Sequence, residues 1–184
     1  MNRRKIFQQN DRESDVRGDV ASMLLVLAQD GDREAFEAFV RETQDDVRRF
    51  CSWLRRPGAD VDDLVQETFL RALRGLHTFR SIASARSWLM SIARHVCADH
   101  VARLVRDRRN VAVTPVRSEH VESFVGYVEL MTDLLRVAPV YREAFVLVAM
   151  MGFTYEEAGR ILDCPRGTVQ SRVARARSHL MSMS

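Results

Sequence analysis

The stretch TYEEAGRILDCPRGTVQSRVARAR, residues 154–177, has the pattern of two short helices joined by a tight turn. Thr154 and Glu157 have the spacing of an N-terminal capping box, so the first helix is predicted to begin after Thr154. It ends at about residue 162, before the turn sequence DCPRG, and the second helix begins at about residue 166. Two helices joined in this way predict a helix-turn-helix.

The second of these helices has one apolar and one polar face. At about 100° per residue, Val169, Val173, Ala176 and Leu180 fall in one narrow sector. Residues 166–177 also include four Arg and no acid. A solvated helix face is the alternative interpretation, but Lys and Glu normally share such faces. The excess of guanidinium, hydroxyl and amide groups favours contact with DNA phosphates and base edges.

Composition limits the class of protein. The chain has 184 residues, 46% hydrophobic and 29% charged, which is typical of one or two small globular domains. No apolar run reaches about 18 residues, and the N-terminus lacks a hydrophobic signal core, so we expect a cytoplasmic protein with no membrane insertion. Net charge is only +3, but positive charge is concentrated locally, which suits a polyanionic partner.

The cysteines and histidines do not predict a metal site. The three cysteines lie far apart, without a CxxC pair, so reduced thiols are expected. His95, Cys97, Asp99 and His100 lie close together in the sequence. On a helix His95 and Asp99 share a face while Cys97 points elsewhere, so we expect no metal and no cofactor.

Helical periodicity throughout the chain, with almost no strand signal, predicts an all-α fold. We predict two small helical domains joined by a flexible linker, with a capped helix start at Asp60, where Asp63 would complete a capping box. The predicted boundaries are a polar extension 1–18, a first domain 19–106, a linker 107–121 and a second domain 122–184. Within these we expect helices at about 19–28, 32–54, 60–76, 85–104, 122–137 and 139–151.

Three stretches together resemble a known family. DVDDLVQETFLRAL (60–73) and TFRSIASARSWLMSIARHVCADHV (78–101) resemble region 2 of bacterial RNA polymerase sigma factors, and APVYREAFVLVAMMGFTYEEAGRILDCPRGTVQSRVARAR (138–177) resembles region 4. The chain is similar to the extracytoplasmic-function class, which retains only these two regions. The resemblance implies a region 2 bundle, a region 4 helix-turn-helix domain and a non-enzymatic factor that directs promoter-specific transcription initiation by core RNA polymerase.

The resemblance also implies partners and residue roles. The first partner is core RNA polymerase, which the chain would contact through the β′ clamp helices and the β subunit. The second is promoter DNA, double-stranded at the −35 element and single-stranded at the −10 element. The third is an anti-sigma factor. An acidic helix face beside an exposed leucine can pair with a basic, partly apolar coiled coil, although a solvated face is the alternative. The implied polymerase-contact residues are Asp62, Asp63, Gln66, Glu67 and Leu70.

The implied DNA contacts divide between the two regions. For the −10 element they are Phe79, Arg80, Ser81, Ser84, Arg86, Arg94, His95, Asp99 and Arg103. For the −35 element they are Arg166, Thr168, Gln170, Ser171, Arg172, Arg175 and Arg177. Phe79 and Trp88 could stack on bases, although core packing is the better interpretation for Trp88. Ser81, Ala85 and Gln170 depart from common family patterns, so a promoter sequence cannot be transferred from relatives.

Two other classes of function remain open at this stage. One is a stand-alone two-domain helix-turn-helix repressor or activator, which would not need the acidic DDLVQE surface. The other is a helical metalloenzyme that uses His95, Asp99 and His100, which the weak ligand geometry disfavours.

Overall fold

The computed structural model describes residues 20–54, 59–80, 84–108 and 133–182, and within these ranges every regular element is helical. The all-α prediction is therefore confirmed. The predicted N-terminal extension and most of the predicted linker lie outside the described residues. Helix α4 reaches residue 108, so its last two residues occupy positions that the sequence had assigned to the linker.

Seven helices can be named in chain order within the described part of the chain. They are α1 (20–29), α2 (Arg33–Leu54), α3 (Val61–Arg74), α4 (Ala85–Arg108), α5 (Pro139–Phe145), α6 (Tyr155–Leu162) and α7 (Arg166–Met181). A 3-10 turn, Leu76–Thr78, follows α3, and a short helical turn at 133–136 precedes α5.

Large aromatic side chains of α2 fill the N-terminal bundle, in which α2 packs against α3 and α4. Phe39, Phe50 and Trp53 are almost completely buried. The Phe39 ring meets Phe69 of α3 edge to face, with the centroids 6.5 Å apart. Because burial of aromatic area is the largest apolar contribution a side chain can make, these residues fix how α3 and α4 lie on α2.

The two predicted capping boxes have different outcomes. At α6, Glu157 N–H donates to Thr154 Oγ1 (3.2 Å) and Thr154 N–H donates to a Glu157 carboxylate oxygen (2.9 Å), so the predicted box is confirmed. At α3 the side chain of Asp60 instead accepts from the N–H of Asp62, at 2.8 Å. Asp60 is thus the predicted N-cap, but it caps without a reciprocal bond from Asp63.

The sequence predicts an α-helix from Pro139 to Gly152, but the structure does not stay α-helical over this range. A π-helical turn, Val146–Met150, follows α5, and Met151 N–H donates to the Val146 carbonyl five residues earlier, at 3.0 Å. Gly152 then adopts a φ of +74°, a conformation that glycine tolerates best, and ends the helix. A hydrophobic pattern of this length does not distinguish an α turn from a single π turn, because the π turn adds only one residue to the helical repeat.

The turn between α6 and α7 closes tightly on a glycine. Asp163 ends α6 in the left-handed conformation, with a φ of 50°, and Cys164 N–H donates to the Gly159 carbonyl at 2.9 Å. A Cβ atom on Gly159 would lie 2.8 Å from the carbonyl oxygen of Cys164, a backbone atom that cannot move away cheaply. Gly159 therefore permits the close approach that brings α7 onto α6.

Two glycine substitutions should change stability in opposite directions. Gly159→Ala is expected to destabilise by about 1–3 kcal/mol, the usual cost of overpacking. Gly167→Ala, in α7 with open space around the new methyl group, should stabilise by about 0.5–1 kcal/mol, because alanine loses less backbone entropy in a helix. Urea denaturation followed by circular dichroism measures both, and equal effects would contradict the described turn.

Candidate polymerase and nucleic-acid interface

The outer face of α3 carries the predicted polymerase-contact residues together. Its inner face buries Leu64, Val65, Thr68 and Ala72. The outer face presents Asp62, Asp63, Gln66, Glu67 and Leu70, of which only Glu67 is half-buried. Leu73 was missed by the sequence analysis, although it is 51% exposed and lies one turn after Leu70. The spacing of Leu73 in the amphipathic repeat of α3 is that of a core residue, and only the tertiary structure shows that its side chain faces outward.

Ion pairs tie this acidic face to neighbouring helices. Asp62 pairs with Arg48 of α2. Arg71 Nε donates to Glu67 (2.7 Å), and Arg71 Nη1 donates to Asp99 of α4 (2.6 Å). The hydrogen bonds from Arg71 hold the pKa values of the Glu67 and Asp99 carboxyls below their usual range.

Four of the residues predicted at the −10 element lie on the protein surface. His95, Asp99 and Arg103 are exposed at successive turns of α4, and Arg80 is exposed between α3 and α4. Ser84, just before α4, is half-buried, whereas Ser81 lies outside the described residues. The spacing of four residues explains why His95, Asp99 and Arg103 share one side of the helix.

The predicted role of Phe79 in stacking on a base requires a correction. Only 3% of it is exposed, and its ring packs against Trp88 with the centroids 5.6 Å apart. In this structure Phe79 is therefore a core residue and is not available for stacking on a base. Trp88 is half-buried beside it, in agreement with the core interpretation.

Two arginines predicted at the −10 element lie instead against the C-terminal half of the chain. Arg86 Nε donates to Asp46 of α2 (2.7 Å), its Nη2 donates to the Met151 carbonyl (3.0 Å), and its guanidinium lies 4.4 Å from the Phe153 ring centroid. Arg94 Nε donates to Glu143 of α5 at 3.0 Å. In this conformation both guanidinium groups are bound within the protein, with 11% of the Arg86 and 27% of the Arg94 side chain exposed.

Apolar packing supports the same contact between the halves. Helix α6 packs on α4, and the buried apolar side chains form one continuous cluster that runs from the N-terminal bundle into α5–α7. The sequence could not show this contact, because every pair in it joins residues far apart in the chain.

The predicted −35 helix has the expected two faces. Val169, Val173 and Ala176 are buried. The predicted DNA contacts that are exposed are Arg166, Gln170, Ser171, Arg175 and Arg177, while Thr168 and Arg172 are half-buried. No acidic residue lies in α7, so all the charged side chains that its exposed face presents are basic.

Neighbouring side chains hold three of these arginines. Arg175 donates to the Tyr141 hydroxyl (3.1 Å), Arg172 donates to the Cys164 sulfur (3.6 Å) and Arg166 pairs with Glu156 (2.6 Å). Tyr141 belongs to α5, which explains why sequence spacing did not identify it as part of this site. Arg160 of α6, also missed, is exposed beside Arg166.

The described residues contain no group of three or more His, Cys, Asp or Glu side chains placed to hold a metal ion. Cys51 and Cys97 are both buried, with their sulfur atoms 3.8 Å apart. The hydrogen bond between them and their burial raise the pKa of the Cys51 thiol. No described helix is long and apolar enough to cross a membrane.

An acidic surface helix and a basic helix-turn-helix in one all-α chain define a DNA-binding protein that also presents a surface for a protein partner. Comparison with known proteins identifies the class further. The family model for Sigma-70 region 2 matches residues 39–107, and the model for Sigma-70 region 4 matches residues 128–180. The chain belongs to the extracytoplasmic-function (ECF) sigma factors of bacterial RNA polymerase.

Individual relatives agree with this assignment. The chain is 39% identical over 169 residues to the ECF RNA polymerase sigma factor SigC of Mycobacterium tuberculosis, covering 89% of this chain and 91% of that one. It is 32% identical over 154 residues to SigM of the same species, covering 82% and 77%. Among solved structures it is similar to the sigma factor RpoE of Bartonella quintana in complex with the anti-sigma factor NepR, with a TM-score of 0.70, 27% identity and coverage of 80% and 94%.

A charge exchange should test the contact between the halves. Glu143→Arg places two guanidinium groups together, so the radius of gyration by small-angle X-ray scattering should rise above the about 16 Å expected of a compact chain of this length. Adding Arg94→Glu reverses both charges and should restore the compact value. Exchange of Arg33 and Glu37, an exposed pair within α2, is the control and should leave the radius unchanged. A single variant as compact as wild type would remove the Arg94–Glu143 pair from the contacts that hold the halves together.

Proposed function

We propose that this sigma factor binds core RNA polymerase through the outer face of α3 and reads the −35 element with α7. The observation that carries the proposal is the pairing, in one chain, of an acidic and leucine-bearing α3 face with a basic α7 free of acids. The predicted parts 19–106 and 122–184 serve as the region 2 and region 4 domains, joined by the predicted linker 107–121. The phosphodiester chemistry belongs to the polymerase, and the factor itself is not an enzyme.

The face of α4 that carries His95, Asp99 and Arg103, together with Arg80, is proposed to hold the unpaired strand at the −10 element. Extruding a base costs a few kcal/mol, so the protein must supply contacts that only the open strand can make. Arg86 and Arg94 join these contacts after they are released from Asp46 and Glu143.

This release follows from the distance between the promoter elements. About 25 base pairs at ~3.4 Å each separate their centres by about 85 Å. In the described structure α6 lies directly on α4, so one molecule cannot contact both elements without separating its two halves. We infer that polymerase binding stabilises an open form in which the linker spans the elements.

An anti-sigma factor is proposed as the second protein partner, because the similar sigma factor RpoE of Bartonella quintana is bound to the anti-sigma factor NepR. The proposed compartment is the cytoplasm, where the polymerase acts. The alternative of a stand-alone repressor or activator is set aside by the family membership of the chain. Such a protein also has no use for the acidic and apolar α3 face.

Run-off transcription tests the proposed function. Wild-type protein added to core polymerase should start specific transcripts from a pool of genomic fragments, and a complete absence of specific starts would reject the sigma factor assignment. Asp63→Arg with Glu67→Arg should abolish transcription and co-purification with core polymerase, because it reverses the charge of the docking face. Glu34→Arg with Glu37→Arg makes the same charge change on exposed positions of α2 and should preserve both.

Removal of one guanidinium should separate base recognition from phosphate attraction. Arg172→Ala is expected to cost about 1–3 kcal/mol of discrimination between the −35 element and unrelated duplex DNA, if its guanidinium contacts base edges. Arg177→Ala should instead weaken binding to all sequences alike and reduce the salt dependence. Electrophoretic mobility shift with holoenzyme measures both, and unchanged selectivity of the Arg172 variant would remove it from the recognition set.

A further inference from the structure

Arg71 is the side chain that joins the two proposed interfaces of the N-terminal half. Its Nε donates to Glu67 on the polymerase-contact face of α3, at 2.7 Å. Its Nη1 donates to Asp99 on the DNA-contact face of α4, at 2.6 Å. One guanidinium thus holds a carboxylate from each surface.

Folding stability does not explain this arrangement well. The side chains of Arg71, Glu67 and Asp99 are 31%, 34% and 55% exposed, and ion pairs with this much solvent contact contribute little to stability. The geometry nevertheless depends on arginine, because its planar fork can donate to two carboxylates at once, whereas a lysine ammonium acts as a single point charge. A function in positioning the two acids accounts for the choice of residue better than stability does.

Without Arg71, the negative charge of Asp99 would repel the DNA strand that its surface is proposed to hold. Asp99 lies between His95 and Arg103, one helical turn from each, on the face proposed to hold a polyanionic strand. An aspartate is ionised at neutral pH, and the bond from Arg71 lowers the pKa of Asp99 further. Among the described residues, Arg71 is the cation that pairs directly with Asp99.

We propose that Arg71 is a positioning residue that orients Glu67 toward the polymerase and neutralises Asp99 so that the −10 strand can approach α4. This inference rests on the proposed function of the two faces. It differs from a direct phosphate contact, in which Arg71 would itself bind the DNA. The difference lies in Asp99, because removing its charge should make the neutralising role of Arg71 unnecessary.

The test compares wild type, Arg71→Ala, Asp99→Asn and the double variant, each bound to saturating core polymerase. The probe is a promoter fragment on which the wild type initiates, with its −10 segment unpaired on the nontemplate strand. Arg71→Ala should weaken probe binding about three- to fivefold, the range that a partly exposed charge pair supports. The double variant should bind the probe as Asp99→Asn alone does. A double variant as weak as Arg71→Ala would show direct phosphate binding and overturn the proposal.

Binding to core polymerase supplies the second measurement. Arg71→Ala should lower the affinity for core about two- to fivefold through Glu67, by the same partly exposed type of pair, and Asp99→Asn should not restore it. Unchanged affinity would remove Glu67 from the proposal. Arg71→Lys keeps a charge beside Asp99 but cannot hold both acids, so it should bind the probe well and core less well. If Arg71→Ala does not fold, Arg71→Lys takes its place in the measurements of probe and core binding.

Arg33→Ala removes an arginine from the exposed Arg33–Glu37 pair on α2 and should change neither measurement. Thermal unfolding of every variant separates positioning from a general loss of structure, because a positioning role predicts altered binding at nearly unchanged melting temperature. If wild-type protein starts no transcript with core polymerase, the proposed function fails. If the wild type is active and Arg71→Ala binds both core and probe normally, only the inference about Arg71 fails.

Discussion

The guanidinium of Arg86 holds the two halves of the chain together. With 11% of its side chain exposed, it must satisfy its charge and its donors inside the protein, and it does so with Asp46, the Met151 carbonyl and the face of Phe153. These partners come from α2 and from the segment that connects the π turn to α6. Because an incompletely paired buried charge is costly, the position of the C-terminal half on α4 depends on this side chain finding all of its partners.

The same reasoning explains how carboxylates of a DNA-binding protein can neutralise its own arginines. Asp46 and Glu143 offer carboxylates to arginines whose proposed targets carry phosphates, so the closed form satisfies those arginines with an internal anion. DNA must compete with a partner present at a very high effective concentration. Polymerase, by holding the halves apart, would remove that competition. Under the proposed function, closure and promoter recognition would therefore draw on the same positive charges.

Sequence reasoning identified those features that depend on neighbours a few residues away. The buried stripe of α7, the acidic face of α3 and the Thr154 capping box all follow from helical spacing, and each is present in the structure. It did not anticipate the burial of Phe79 or the internal partners of Arg86 and Arg94, which belong to distant parts of the chain. An aromatic ring between helices or a guanidinium on a helix is compatible with either a ligand or a core neighbour, and only the tertiary fold distinguishes the two. Leu73 shows the converse error, since an apolar residue at helical spacing was not recognised as part of an outward surface.

The π turn at Val146–Met150 sets where the chain leaves the helix that begins at Pro139. A π turn accommodates one residue more than an α turn over the same axial distance, and in an α-helix one residue corresponds to about 100° of rotation. Met151 and Phe153, which receive Arg86, come immediately after that extra residue. The segment should therefore accept exchanges among apolar side chains over evolutionary time, but resist any change in its length. A deletion there would move Met151 and Phe153 away from Arg86 while leaving every residue of the helix-turn-helix intact.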